Sequence, residues 1–394
     1  MVNFEYYTPT RVVFGKGVEE KVGSLVKEQN GKKVLVHYGG QSAKKSGLLD
    51  RVFASLKEAG IEYVELGGVV PNPHLSLVYQ GIELCKKEGV DFLLAVGGGS
   101  VIDSSKAIAY GVLGGADDVW DYYDGKATAQ AALPVGAVLT IAAAGSEMSN
   151  SSVITNEKTL IKKGYNHDIL GRCRFAVMNP ELTLTLPEYQ TACGCADIVM
   201  HTLERYFTAD TTMEITDSIA EALLRTTMEN ARTLTREPQN YNARAEIMWA
   251  GSLSHNGLTG AGGGRGDWAT HQLGHELSGL FDLAHGAALT AVWGSWARYV
   301  YKQNPARFAR LALNVLELPA EGSVEELALA GIEEMENFFW GLDLPISMSE
   351  AGLNLDDEKI HELAVRCSFD GKRTVGGFKP LAQQDMEAIY KMAK

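Results

Sequence analysis

The sequence predicts an α/β dinucleotide-binding domain built on a parallel, Rossmann-like sheet over residues 1–185, followed by an all-α domain over 186–394. Three observations predict it. The chain has 394 residues, more than one modest core needs. Its first 185 residues alternate short β-branched runs with amphipathic stretches, the pattern of parallel strands joined by helical crossovers. After Pro187 the strand signal fades and helical periodicity takes over.

In chain order, the runs 34–38 (VLVHY), 91–96 (DFLLAV) and 135–141 (VGAVLTI) are largely apolar with glycine at or near their ends. Such runs suit strands buried on both faces. Between them, 47–59 and 75–88 carry helical periodicity. The segment Asn179-Pro180-Glu181-Leu182-Thr183-Leu184-Thr185-Leu186-Pro187 marks the change of composition. Beyond it, 218–234, 243–258, 268–280 and 306–316 read as helices.

Composition narrows the function classes. Hydrophobic residues at 45% and charged residues at 22% are ordinary for a folded chain and exclude disorder. The net charge of −13 repels phosphate backbones and anionic membranes, so neither nucleic acid nor a membrane is expected as a partner. The most apolar stretch, around 131–145, is broken by Pro134 and Gly136 and is too short to span a bilayer. Cysteines 85, 173, 193, 195 and 367 are odd in number and irregularly spaced, which suits reduced thiols. A start without a basic or apolar leader completes the expectation of a cytoplasmic protein.

Two loops point to a dinucleotide. Strand 91–96 runs into Gly97-Gly98-Gly99-Ser100 and then into a helix carrying Asp103 and Lys106. Without Cβ atoms, backbone N–H groups at a helix start can approach a pyrophosphate closely. The loop is not the G-x-G-x-x-G fingerprint, because Ile102 stands where the last glycine would be, and no P-loop occurs in the chain. The bland reading is a tight strand-to-helix turn, with Asp103 and Lys106 solvated. Strand 34–38 is followed by Gly39-Gly40-Gln41-Ser42-Ala43-Lys44-Lys45, with no acid before Asp50. An NAD site usually places an acid here for the ribose hydroxyls, whereas a hydroxyl and lysines favour the 2′-phosphate of NADP(H). The alternative is a lysine-bearing loop in water.

Histidines cluster in the second half. His271, His275 and His285 share one short window, and Asp197 with His201 repeats the i,i+4 spacing of His271 with His275. One carboxylate and several imidazoles from separate helices suit a divalent ion, Fe²⁺ or Zn²⁺. Singly, each histidine reads as a hydrogen-bonded side chain. The pair Cys193 and Cys195 has no second cysteine pair and reads as core packing. A zinc protease is excluded, because H-E-x-x-H is absent and Gly274 stands where the inverted motif needs glutamate.

Taken together, Pro9-Thr-Arg-Val-Val-Phe-Gly-Lys-Gly17, Tyr38-Gly-Gly40, Pro71-Asn-Pro73, Gly97 through Lys106, Gly145-Ser-Glu147, Ala196-Asp197 through His201 and the His271–His285 segment resemble the metal-dependent (group III, iron-containing) alcohol dehydrogenases. The likeness is greatest to the NADPH-dependent butanol dehydrogenase and aldehyde reductase branch and covers nearly the whole chain. The resemblance implies hydride transfer between NADP(H) and a small alcohol or aldehyde, in a homodimer. It implies a divalent metal held by Asp197, His201, His271 and His285. His275, which spacing alone would make a ligand, then lies beside the ion as the nominee for proton relay. It assigns the pyrophosphate to Gly97, Gly98, Gly99 and Ser100 with Asp103 close by, and the 2′-phosphate to Gly39, Gly40, Ser42 and Lys45. Thr140, Ser149 and Leu182 fall at nucleotide contacts, and Lys162 on the nicotinamide side. Two positions depart from the family pattern: Ala144 replaces a common threonine, and Asn179 a common aspartate. The rival readings are a metal- and NAD-dependent lyase resembling dehydroquinate synthase, which would carry glutamate at Asp197 and a richly basic pocket, and a metal hydrolase without a redox cofactor.

Overall fold

The computed structural model describes residues 1–208 and 213–394. The chain divides into two compact units, Tyr7–Leu186 and Pro187–Lys394, the second joined by Met1–Tyr6. Those first residues, which the sequence reading places with the sheet, are tied to the helical unit by Val2 N–H donating to the Gly262 carbonyl.

In the first unit the strands are β1 (Arg11–Phe14), β2 (Lys33–Tyr38), β3 (Glu62–Leu66), β4 (Phe92–Gly97), β5 (Val135–Leu139), β6 (Ser151–Asn156), β7 (Ile161–Asn166) and β8 (Phe175–Met178). Its helices are α1 (Val22–Glu28), α2 (Ser42–Lys45), α3 (Leu48–Glu58), α4 (Leu75–Glu88), α5 (Gly99–Leu113) and α6 (Trp120–Tyr123). Six strands form one parallel sheet in the order β1-β8-β5-β4-β2-β3, while β6 and β7 pair as a separate antiparallel hairpin. The strands legible in the sequence, β2, β4 and β5, are three of the four interior ones, buried almost throughout; the fourth, β8, is as buried but only four residues long and carries no run of its own. The edge strands β1 and β3 are half exposed and mix charge with apolar residues, so their runs carry no continuous signal. Helix α4 stops at Gly89, whose φ of 66° closes the last turn in the left-handed region. Helices α1 and α3 pack their apolar faces, including Val22, Leu25, Val52 and Leu56, on Val34, Val36, Phe92 and Leu94.

The second unit is helical, as the loss of the β signal predicts. It runs through α7 (Glu188–Tyr206), α8 (Glu214–Arg236), α9 (Tyr241–His255), α10 (Ala269–Phe281), α11 (His285–Val300), α12 (Pro305–Asn314), α13 (Val324–Trp340), α14 (Asp357–Cys367) and α15 (Gln383–Met392). Starts follow sequence chemistry: Asn240 caps α9, Asn304 with Pro305 opens α12, and Ser323 with Glu326 forms a capping box on α13. Helix α7 packs against α8, α9 and α11. A buried bidentate pair, Arg307 with Asp217, holds α12 to α8, and its guanidinium lies 3.8 Å from the Tyr206 ring. All five cysteines are free thiols. Among the described residues no helix is long and apolar enough to cross a membrane.

Candidate active site

In the sheet unit the chain lays down β2 and β3 in one direction, then returns to place β4 on the other side of β2, followed by β5 and β8. The order therefore reverses between β2 and β4, and ligands of such sheets bind at the carboxyl ends of the strands flanking that reversal. Two loops far apart in sequence meet there: Tyr38 of β2 is level with Val96 of β4, so Gly39–Gly40 and Gly97–Gly99 leave the sheet side by side. Thr140 joins them from the end of β5, donating its N–H to the Gly97 carbonyl. Leu182 lies in the 3₁₀ turn Pro180–Thr183 that follows β8.

Each glycine of the loop has a packing reason. A Cβ on Gly97 would stand 2.4 Å from Val101 Cγ2, one on Gly98 3.0 Å from the Ile141 side chain, and one on Gly99 3.2 Å from both Ala144 and Ser146. The loop is thus pressed against its own helix and against 141–146, leaving the first amides of α5, at Gly99 and Ser100, without helical acceptors. Asp103 and Lys106 are buried, which corrects the reading of a solvated first turn. Lys106 Nζ donates to the carbonyls of Ser146, Ser149 and Ser151, and Asp103 accepts from Val153 N–H. Together they pin the 146–153 segment to α5. Ser149 is fully enclosed in this lock. Burial, only partly offset by Lys106, pushes the Asp103 carboxyl up to about 6.

Ser42 and Lys45 are exposed on the short α2, while Lys44 lies over the Tyr38 ring. Lys162 on β7 donates to Asn72 Oδ1 at 2.9 Å. Asn179 has a local explanation: its Oδ1 accepts from Glu181 N–H and its amide donates to Glu19, which an aspartate would instead repel.

In the helical unit Asp197 and His201 lie one turn apart on α7, His271 on α10, and His285 opens α11. Gly286 lets α11 approach α7, since a Cβ there would meet the Cys193 carbonyl at 2.2 Å. Asp197 Oδ1 lies 3.4 Å from His201 Nδ1, 3.8 Å from His271 Nε2 and 3.7 Å from His285 Nε2. His201 Nδ1 and His271 Nε2 are buried and make no hydrogen bond among the described residues. Donors 2.0–2.2 Å from a tetrahedral ion stand about 3.3–3.6 Å apart, so the spacing suits a shared cation rather than mutual hydrogen bonds. Asp197, His201 and His271 form the tight group, with donor atoms mutually within 4.8 Å. His285, a quarter exposed, reaches Asp197 but stands outside that trio. His201 is held well below its ordinary pKa by burial and by His255 beside it. Burial opposes charge on His271, but the carboxylates of Asp197 and Glu204 on either side outweigh it and raise its pKa.

His275, half exposed on α10, does not join the trio, although it sits one turn from His271. Its ring centroid is 6.5 Å from that of His271 and 5.5 Å from that of His285. Cys193 and Cys195 are raised by burial to about 11 and about 12, neutral thiols that offer a metal little. Sequence reasoning passed over two neighbours. His255 stacks on His201 at 4.0 Å, with no motif to announce it. Glu204 accepts from His271 Nδ1 at 2.8 Å, and its i+7 spacing from Asp197 was the available signal.

Comparison with known proteins supplies the remaining observation. Residues 9–180 match the family model for iron-containing alcohol dehydrogenase, and 191–394 match that for the C-terminal part of the Fe-containing alcohol dehydrogenase family. The chain is 40% identical over 392 residues to a probable NADH-dependent butanol dehydrogenase of Bacillus subtilis, covering 99% of both chains. It is 37% identical over 396 residues to the NADPH-dependent aldehyde reductase YqhD of Escherichia coli, covering all of both. The crystal structure of NADH-dependent butanol dehydrogenase A from Thermotoga maritima superposes with a TM-score of 0.95 at 40% identity, covering 100% of this chain and 99% of the other. These relatives are alcohol and aldehyde oxidoreductases, which disfavours the lyase reading. Their names divide between NADH and NADPH.

Proposed function

The chain belongs to the iron-containing alcohol dehydrogenase family, and from that premise we propose that it interconverts a primary alcohol and its aldehyde with NADP(H) and a divalent ion, Fe²⁺ or Zn²⁺. The observation that carries the metal reading is the convergence of three imidazole nitrogens within 3.8 Å of the single oxygen Asp197 Oδ1. When bound, such an ion polarises a substrate oxygen as a Lewis acid, and the nicotinamide gives or takes the hydride.

The chain's own residues do the rest. Asp197 contributes the one negative charge of the donor set, and His201, His271 and His285 the neutral lone pairs. The half-exposed His275 exchanges a proton with solvent at its ring. The amides of Gly99 and Ser100 bind the pyrophosphate, and Ser42 with Lys45 takes the 2′-phosphate. That phosphate carries about two negative charges, and a charge-assisted hydrogen bond to it contributes roughly 1.5–3 kcal/mol before solvent screening.

Steady-state assays with NADPH and NADH across a series of aldehydes test this reading, before and after chelation and metal return. NADPH is expected to exceed NADH by at least about tenfold in kcat/KM. Gly40→Asp should reverse the preference. That position tolerates a side chain, because a Cβ on Gly40 has nothing within 4 Å and its φ lies outside the left-handed region. Equal efficiency of both cofactors in the unmodified protein would show that the Gly39–Lys45 loop does not reach the phosphate.

A further inference from the structure

We propose that Glu204 is the positioning residue of the metal centre, setting the ring tautomer and orientation of His271 while capping the helix that carries it. The inference rests on reading Asp197, His201, His271 and His285 as metal donors.

Helix α10 has a local acceptor for its first amide, Ala269 N–H to Asp267 Oδ1 at 3.0 Å, but none from its N-cap residue. Its N-cap residue is Trp268, held at φ 67° and ψ 3°, a conformation that a bulky side chain rarely adopts and that offers no acceptor. The missing acceptor comes from another helix. Glu204 Oε2 takes the Trp268 N–H, and Glu204 Oε1 takes the His271 N–H at 3.0 Å, the third amide of α10 and a usual target of an N-cap side chain. The same Oε1 also takes the His271 ring at Nδ1, at 2.8 Å. One oxygen therefore holds both the backbone and the ring of a single histidine. Nδ1 must then carry the hydrogen, and Nε2 is left facing Asp197.

The junction is built around this contact. Glu204 is 3% exposed, and three N–H groups and a helix N-terminus face its carboxyl oxygens. Its carbonyl accepts the Asp267 N–H at 2.7 Å, and a Cβ on Gly266 would stand 2.5 Å from that carbonyl oxygen. Glu204 also lies on the α7 face that carries Asp197 and His201. Two ligands of α7 and one of α10 are thereby put in register by a residue that touches neither ion nor substrate. The backbone strain at Trp268 sits where an imposed contact, not local preference, fixes the chain.

The test uses Co²⁺ with the full-length protein, measuring affinity by chelator competition and the visible ligand-field spectrum. Glu204→Gln keeps the size and one acceptor, but turns an N–H donor toward another donor. A weakening of Co²⁺ affinity by about 10–100-fold with an altered spectrum is expected. A variant with the parent's affinity and spectrum overturns the proposal. Failure of the parent itself to bind Co²⁺ would instead overturn the metal reading beneath it. Should Glu204→Gln not fold, ¹⁵N-histidine NMR of the unmodified Zn²⁺-loaded protein decides. A proton on Nδ1 of His271 supports the proposal, and a proton on Nε2 with the metal on Nδ1 refutes it.

Discussion

On the proposed reading, the two units prepare their binding sites by opposite means. In the sheet unit the work is done by backbone and by the absence of side chains, at strand ends that the topology brings together. In the helical unit it is done by side chains, and the backbone serves to aim them. The difference teaches where each site is fragile. A backbone cradle fails when something is added, and a donor set fails when something is taken away.

Removal should therefore be most damaging in the helical unit. Asp197→Ala deletes the only anionic donor among the proposed ligands. It is expected to lower kcat/KM by at least about a thousandfold through lost Lewis-acid stabilisation. Metal analysis alongside kinetics checks it, and a variant with full metal content and activity would break the comparison at its strongest point. His275→Ala separates a donor from a proton carrier: a rate loss of about a hundredfold with the ion retained and the pH profile changed is expected. An empty site in that variant would return His275 to the ligand set that its i,i+4 spacing suggests.

The sheet unit has its own acid sensitivity. His37 on β2 is fully buried, bonded to the Leu66 carbonyl and to Ser104 Oγ, and burial lowers its pKa from 6.5 to about 4. The unfolded chain takes up this proton near pH 6.5 and the folded chain only near 4, so the folded state binds fewer protons in between. Stability from this group is complete above about pH 6.5 and falls as the pH drops toward about 4, by about 3 kcal/mol in all. Urea unfolding of parent and His37→Gln across that range should show a flatter curve for the variant. Parallel curves would remove His37 as the cause.

Addition is the smaller insult. Gly97→Ala drives a methyl to within 2.4 Å of Val101 Cγ2 and should cost about 1–3 kcal/mol of stability by overpacking, with weaker NADP(H) binding. Chemical denaturation and cofactor fluorescence titration measure the two effects. An unchanged Kd would mean that the loop is a structural turn and no more.

Much of this was written in local sequence. Period and burial gave three of the interior strands, β2, β4 and β5, and the helices α8, α9, α10 and α12 of the second half, because an element buried on both faces or along one stripe carries the matching pattern. The glycine run and the Asp197/His201 spacing were equally local, since each needs only a few neighbouring residues. Edge strands and the β6–β7 hairpin were not legible, because half-exposed backbone accepts mixed residues, and the buried β8 was missed because four residues are too short a run to stand out. What only the tertiary structure decided is which loops and rings become neighbours. Sheet order brings Gly39 and Gly97 out of the sheet side by side, and helix packing puts His271 of α10, rather than its turn-mate His275, against Asp197 of α7. Glu204 belongs to the same class: a buried carboxylate on a helix face is ordinary in sequence, and its meaning appears only when another helix begins beneath it. Contacts between residues some 67 positions apart are set by the packing of whole elements, which no short window of sequence contains.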